Sequence, residues 1–278
     1  MQQDIDIPNV ILSKLTSIAI LAAQTAGEVL KRGFDTTLIT SSKEGKHNLC
    51  TDYDEKVEKM IIAFIKDHFP DHTFLGEEFG AQGNNPQAIQ WILDPIDGTV
   101  NFAHSIPVFS ISIAATFNGK TLSGVVYSPM SNELFVAEKG SGAYLNGTKL
   151  KISKTTTLSD SFLATGFPYN THENPGGCIN HFMAFAKLGI PIRRLGSAAL
   201  DLAYVAAGRY DGFWEVSLKP WDFAVGCLLI EEAGGKISDY DNSPITTKSE
   251  TSIVASNGHI QEQIVNFLKH NTCDAHDH

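Results

Sequence analysis

Asp94, Asp97 and Thr99 fall in one short stretch, Trp91-Ile92-Leu93-Asp94-Pro95-Ile96-Asp97-Gly98-Thr99-Val100-Asn101-Phe102. Carboxylates this close repel, and the repulsion is relieved by protons, by Lys or Arg partners, or by divalent cations. No basic residue lies in the stretch, so a metal is the economical counter-charge. The same residues also make an ordinary turn, because Pro fixes φ, Gly accepts positive φ and Asp bonds its own backbone. Both readings stand on this stretch alone. The apolar run Trp91-Ile92-Leu93 predicts the end of a buried strand that delivers the two acids into a Pro- and Gly-containing turn, where a scaffold can present charge to a ligand.

A second stretch tips the balance. Trp221-Asp222-Phe223-Ala224-Val225-Gly226, continuing to Glu232-Ala233-Gly234-Gly235, resembles the Trp-Asp-x-Ala-x-Gly…Glu-Ala-Gly-Gly signature of the inositol monophosphatase family. The first stretch resembles that family's Asp-Pro-Ile-Asp-Gly-Thr-x-Asn-Phe signature, and the resemblance covers nearly the whole chain. It implies an α/β (α+β) sugar-phosphatase fold, a layered αβαβα sandwich, and a phosphomonoesterase that uses two or three Mg²⁺ ions. Residue by residue, it implies that Glu77, Asp94 and the carbonyl of Ile96 hold one ion and that Asp94, Asp97 and Asp222 hold a second. Lys43 matches a loop lysine that approaches a third ion and its waters. All of these donors are oxygens and no Cys or His shares their motifs, which suits hard Mg²⁺ better than Zn²⁺.

The remaining roles are implied by the same resemblance. Asp54 and Thr99 match the pair that polarises the attacking water, and Glu78 matches the neighbour of Glu77 that orients a water. The amides of Gly98 and Thr99 stand at a predicted helix start, suited to a phosphate oxygen. Glu215, seven positions before Asp222, matches an acid that contacts substrate hydroxyls, with Gly196, Ser197 and Ala198 lining the same pocket and Asp97 and Asp222 bordering it. An acid facing neutral hydroxyls suits a polyol such as inositol, and Leu195–Ala203 with Leu218–Asp222 looks most like the bacterial inositol-1-monophosphatase branch. Val100 and Val225 depart from the family's usual residues at positions that touch no ligand. The family commonly dimerises and is inhibited by Li⁺, and both are expected here. Relatives acting on fructose 1,6-bisphosphate, nucleotide bisphosphates or histidinol phosphate give alternative substrates. Some bacterial relatives also bind transcription proteins as RNA-associated factors, which makes a regulatory binding protein the alternative from another class; a plain cation-binding protein would leave Thr99 and Asp54 unexplained.

Composition sets outer limits. A chain of 278 residues with net charge −10 has the size for one large α/β domain, and its acidity disfavours nucleic acid as the main ligand. A small anionic substrate remains compatible with it where cations reverse the local field. Cys50, Cys178, Cys227 and Cys273 are scattered without a framework spacing, which predicts free thiols in a reducing compartment. The N-terminal residues lack a basic segment followed by an apolar one, and no apolar run reaches the roughly 20 residues that span a bilayer. These features predict a soluble, cytoplasmic protein.

The elements that must position the acids follow from periodicity. Helical spacing predicts helices over 11–32, from about Asp54 to His68, 178–188, 198–207, 222–233 and 259–269. Thr51 or Asp54 reads equally as a cap of the second helix, and Asp222 as a cap of its own. Strands are predicted at Phe74–Leu75, 109–116, 123–127, 133–137, 162–165 and 191–194, near Ile237 and at 252–255, with Asn118-Gly119 and Asn146-Gly147 as hairpin turns. Residues 41–48 and 80–86 read as surface loops, 211–222 as a connection, and His181 as structural or exposed. The halves join after Thr155 within one domain, as subdomains of about 1–154 and 155–278. Nucleophilic catalysis has no support, since no Gly-x-Ser-x-Gly occurs.

Overall fold

A computed structural model describes residues 9–34, 36, 40–42 and 49–271. Lys43, with the rest of its loop, and the tail beyond Asn271 lie outside the described residues. In chain order the elements are α1 (Asn9–Gly33), β1 (Thr40–Ser42), β2 (Leu49–Thr51), α2 (Asp52–His68), β3 (Thr73–Gly76), β4 (Gly80–Gln82), β5 (Gln90–Asp97) and α3 (Thr99–Ala103). The meander β6 (Ser110–Phe117), β7 (Lys120–Ser128), β8 (Glu133–Glu138), β9 (Gly142–Leu145) and β10 (Thr148–Lys149) follows. Then come β11 (Leu163–Thr165), α4 (Cys178–Lys187), β12 (Ile192–Arg193), α5 (Ala198–Ala206), β13 (Gly212–Leu218), α6 (Pro220–Ala233), β14 (Lys236–Ser238), β15 (Thr251–Ser256) and α7 (Gln261–His270).

Two mixed sheets organise these elements. The larger has eight strands in the order β10-β9-β8-β7-β6-β5-β3-β4, and the smaller has five in the order β12-β11-β13-β15-β14. Helices α1 and α2 bury Leu15, Ala22, Leu30, Ile61 and Ile65 against one face of the large sheet, where Trp91, Ile113 and Val125 meet them. Helices α5 and α6 fill the space between the sheets, packing Leu202, Phe223 and Leu228 against Val126 and Phe135 on one side and Phe213 and Ala255 on the other. On the outer face of the small sheet, Phe185 of α4 and Ile264 and Leu268 of α7 close over Trp214 and Val254. The layering is therefore αβαβα, as expected. Among the described residues no helix is long and apolar enough to cross a membrane.

Helix α6 is apolar on every side from Phe223 to Ile230 because that stretch lies buried between two sheets, while Glu231 and Glu232 at its end meet solvent. Its Gly226 is a packing necessity, since a Cβ there would stand 2.5 Å from Leu202 of α5.

Several sequence-based expectations need correction. Ser41 and Ser42 belong to β1, which pairs antiparallel with β2, and Gly80–Gln82 is the outer strand of a hairpin with β3 rather than loop. Gly212–Leu218, read as a connection, is the central strand of the small sheet, parallel to β11 and antiparallel to β15. It is flanked on both sides and covered on both faces, with the adjacent Phe213 and Trp214 buried in different layers, so its first half lacks the apolar–polar alternation of a half-buried strand. Of its two readings His181 takes the structural one, buried and edge-on to Tyr240 at 5.5 Å. Cys178 and Cys227 are free and buried.

Candidate active site

The first motif is not a turn after a strand, because β5 runs through it to Asp97. Asp94 stands opposite Ser112 of β6 and Asp97 opposite Ser110, so three steps along β5 match two along β6. One residue is inserted, which is a bulge. Positions three apart on a regular strand face opposite ways, and the inserted residue brings both carboxylates to one side. Pro95 is tolerated there because a bulge relieves it of a ladder bond it cannot donate. The Ile96 amide donates to Asp94 Oδ1 at 2.9 Å and locks the kink.

Gly98 then turns the chain into α3 with φ of 101°, and a Cβ on it would lie 3.1 Å from the carbonyls of both Val108 and Gly196. This contact presses the first motif against the loop before α5. Asn101 fastens the same junction by donating to the carbonyls of Val108 at 2.7 Å and Leu195 at 2.8 Å.

Thr99 and Asp54 meet as expected, with the Thr99 hydroxyl 3.0 Å from Asp54 Oδ1 and 3.0 Å from the Ile96 carbonyl. The other Asp54 oxygen accepts from the amide and hydroxyl of Thr51 at 2.7 and 2.6 Å. Thr51 caps α2 and Asp54 completes its capping box, so the cap and the contact to Thr99 hold together. Burial pushes the Asp54 carboxyl up to about 7, against the hydrogen bonds from Thr51 and Thr99 that favour its charged form.

Asp97 is gripped by the start of α5. Its Oδ2 accepts from the Ser197 hydroxyl at 2.6 Å and the Ala199 amide at 2.7 Å, and its Oδ1 lies 3.3 Å from the Ala198 amide. Ser197 and Ala198, expected to line the substrate pocket, thus have these donors engaged by this carboxylate, at the positive end of a helix. Burial still pushes Asp97 up to about 6.

Glu77 and Glu78 form the loop of the β3–β4 hairpin, with the Glu77 amide donating to the Leu93 carbonyl at 3.1 Å beside Asp94. Asp222 is the third residue of α6, and its Oδ2 accepts from the Lys219 amide at 2.7 Å. The Ser112 hydroxyl donates to the Trp221 carbonyl at 3.1 Å and ties the second motif to β6. Glu215 lies buried on β13 so close to Gly166 that a Cβ there would stand 2.0 Å from its Oε2.

These groups share one field. Asp94 is raised well above the usual carboxylate range by burial and by Glu77, Asp97 and Asp222. Asp222 is raised likewise, by burial, Asp97 and Glu77, and Glu215 is pushed up to about 8 by burial and Asp97. Acids that raise one another in this way are stabilised in their charged form by a cation. Among the described residues no three His, Cys, Asp or Glu side chains make a metal cage by themselves. The donors are carboxylate oxygens with no Cys or His among them, which is the chemistry of a hard cation such as Mg²⁺.

Sequence reasoning missed two residues here. Tyr169 lies beside the acids, where partial loss of water and then the charges of Glu77, Asp97, Asp222 and Asp94 push its phenol up to about 12. Nothing in its local sequence marks it, because the loop after β11 reaches the acids only through the fold. Glu58, 0% exposed, accepts from the amides of Glu78 and Phe79. An acid on the apolar face of α2, four residues after Asp54, was the available signal.

The inositol monophosphatase family profile matches residues 11–272. Nus factor SuhB of Salmonella typhimurium strain 14028s is 44% identical over 227 residues, which covers 81% of this chain and 85% of that protein. Among solved structures, the extragenic suppressor protein SuhB from Bartonella henselae superposes with a TM-score of 0.85 at 39% identity, covering 91% of this chain and 97% of that one. The inositol monophosphatase from Anabaena (Nostoc) sp. PCC 7120 gives 0.84 at 39% identity, covering 94% and 97%. Matches of this extent make the chain a member of the inositol monophosphatase family.

Proposed function

We propose that the chain is a Mg²⁺-dependent phosphomonoesterase that hydrolyses inositol monophosphate, or a closely similar polyol phosphate, to the alcohol and phosphate. The observation that carries this reading is the bulge of β5, which puts Asp94 and Asp97 on one side, within the field of Glu77 and Asp222 and next to the Thr99–Asp54 pair. Glu77, Asp94 and the Ile96 carbonyl would hold one ion, and Asp94, Asp97 and Asp222 a second. Bound there, the cations would neutralise the phosphate and lower the pKa of an attacking water.

The chain's own residues supply the rest. Thr99 donates to Asp54 and so turns an oxygen lone pair outward to orient the water and accept its proton. Asp54, with a pKa pushed up to about 7, takes up that proton near neutral pH. Glu78 orients a water beside Glu77, and the Gly98 and Thr99 amides receive a phosphate oxygen. Ser197 and Ala198 act by fixing Asp97, while Glu215 and Gly196 border the alcohol. Lys43 keeps its proposed place at a third ion. The halves 1–154 and 155–278 act as one domain, since each contributes acids to the site, and a Li⁺-sensitive cytoplasmic homodimer belongs to the same reading.

A second reading has support of its own, since relatives 44% identical are named for a Nus factor. A transcription-associated binding role would then accompany or replace catalysis. Phosphate release from a panel comprising inositol 1-phosphate, fructose 1,6-bisphosphate, a nucleotide bisphosphate and histidinol phosphate separates the readings. Turnover led by the inositol ester supports the first, and preference for another ester moves the assignment within the family. A folded, Mg²⁺-saturated protein that turns over none of them, yet binds purified transcription elongation factors, supports the second.

A further inference from the structure

We propose that Glu58 is a positioning residue that fixes the Glu77–Glu78 loop for cation binding, so that two acids one turn apart on α2 align the two sides of the metal site. The inference rests on the Mg²⁺ reading above. Asp54 and Glu58 are both 0% exposed, and each spends its carboxylate on a different strand end. Asp54 holds Thr99, just past β5, while Glu58 holds the loop just past β3.

The grip is two-pronged. The Glu78 amide donates to Glu58 Oε2 at 2.9 Å, and the Phe79 amide to Oε1 at 3.1 Å. Two consecutive amides converging on one carboxylate fix both the position and the tilt of the loop. From the other direction the Glu77 amide is bonded to the Leu93 carbonyl of β5 at 3.1 Å, so Glu77 is held between β5 and α2. The approach depends on Gly76, where a Cβ would lie 1.9 Å from Glu58 Oε1.

Stability alone does not call for an acid here. A carboxylate stripped of water is costly, and a neutral amide side chain of the same shape would still accept from one of the two N–H groups without that cost. The hairpin does not require it either, because three-residue loops close with a left-handed residue at their end, as Gly80 does with φ of 61°. What the acid adds is a fixed orientation for Glu77, through a backbone bonded on both sides.

The test uses the full chain with Glu58→Gln, Glu58→Asp and, as a control on the exposed face of the same helix, Glu55→Gln. Gln offers one acceptor to two amides, and Asp is one methylene short. The first readout is the Mg²⁺ concentration that gives half of the Mg²⁺-induced rise in Tm without substrate; the second is the split between kcat and KM. E58Q should raise the Mg²⁺ midpoint about tenfold or more, the usual scale for residues that orient metal ligands. Its kcat should fall at limiting Mg²⁺ and recover partly at excess, with KM for the phosphate ester nearly unchanged. E58D should be intermediate and E55Q should match wild type. A wild-type midpoint in E58Q, whatever its Tm in EDTA, would make Glu58 merely structural and overturn the proposal. If E58Q does not fold, E58D decides on the same criterion. A wild-type protein indifferent to Mg²⁺ would instead overturn the metal reading beneath it.

Discussion

Asp54 and Asp222 occupy the same place in two different helices. Each is the third residue of its helix, and each takes the amide of the capping residue on Oδ2 at 2.7 Å, from Thr51 in α2 and from Lys219 in α6. By sequence both are ordinary helix-start acids. They differ in the other oxygen. Asp54 Oδ1 receives the Thr99 hydroxyl at 3.0 Å, whereas among the described residues no hydrogen bond reaches Asp222 Oδ1. Burial and the charges of Asp97 and Glu77 surround Asp222. On the proposed reading, one local motif builds two devices, a hydroxyl relay where the second oxygen is spent on protein and a cation ligand where it is left to a partner from solution. A cap fixes a carboxylate, and what faces its other oxygen decides its use.

Substitutions that keep the cap and change only the second oxygen separate the two acids. Asp222→Asn retains an acceptor for the Lys219 amide but withdraws a charge from the cation. It should cost about 10²–10³-fold in kcat, the scale of losing one preorganised electrostatic contact, and abolish the Mg²⁺-induced rise in Tm while leaving Tm in EDTA unchanged or higher. Asp54→Asn should cost about 10²-fold in kcat, the lower end for a general base, with the Mg²⁺ midpoint preserved. Steady-state kinetics with a Mg²⁺ titration of Tm reads both. Equal shifts in Mg²⁺ midpoint for the two variants would erase the distinction.

The acids also predict a pH dependence with a definite sign. Asp54 and Glu215 are pushed up to about 7 and about 8, while unfolded carboxylates titrate near 4. Over that interval the folded chain binds more protons than the unfolded one, so these groups stabilise the metal-free protein at low pH and their contribution is lost as pH rises toward about 8. Tm measured in EDTA should carry this downward slope, and Glu215→Gln should make it shallower above about pH 5. An unchanged slope would remove Glu215 from the coupled set. The smallest effect belongs to Ser197→Ala, which deletes one of the bonds on Asp97. Its expected cost is about 1 kcal/mol, read as a several-fold higher Mg²⁺ midpoint.

Much of this was legible in the sequence because motif spacing and helical periodicity are local signals. Both Asn-Gly hairpins and the Thr51 cap follow from residues near each other in the chain, while the αβαβα order and the pairing of Thr99 with Asp54, 45 positions apart, follow from the family resemblance that the two signatures carry. The bulge at Asp94–Asp97 did not, because Pro95 and Gly98 carry the same turn chemistry whether or not a neighbouring strand pairs through them. Strand β13 was lost because the adjacent Phe213 and Trp214, buried in different layers, interrupt the apolar–polar alternation at its start, and the engagement of the α5 start by Asp97 was lost because the partners are 100 or more positions apart. Glu58 and Tyr169 belong with these, since their meaning lies in what the fold brings against them.

The most direct measurement is phosphate release from inositol 1-phosphate by wild type and Asp94→Asn, each with Mg²⁺ and with EDTA at matched protein concentration. Asp94 lies where both proposed ions meet, so release by wild type with Mg²⁺, and neither in EDTA nor in D94N, is the predicted result. Release that survives EDTA or the Asp94→Asn substitution would contradict a metal-centred mechanism in this cluster of acids.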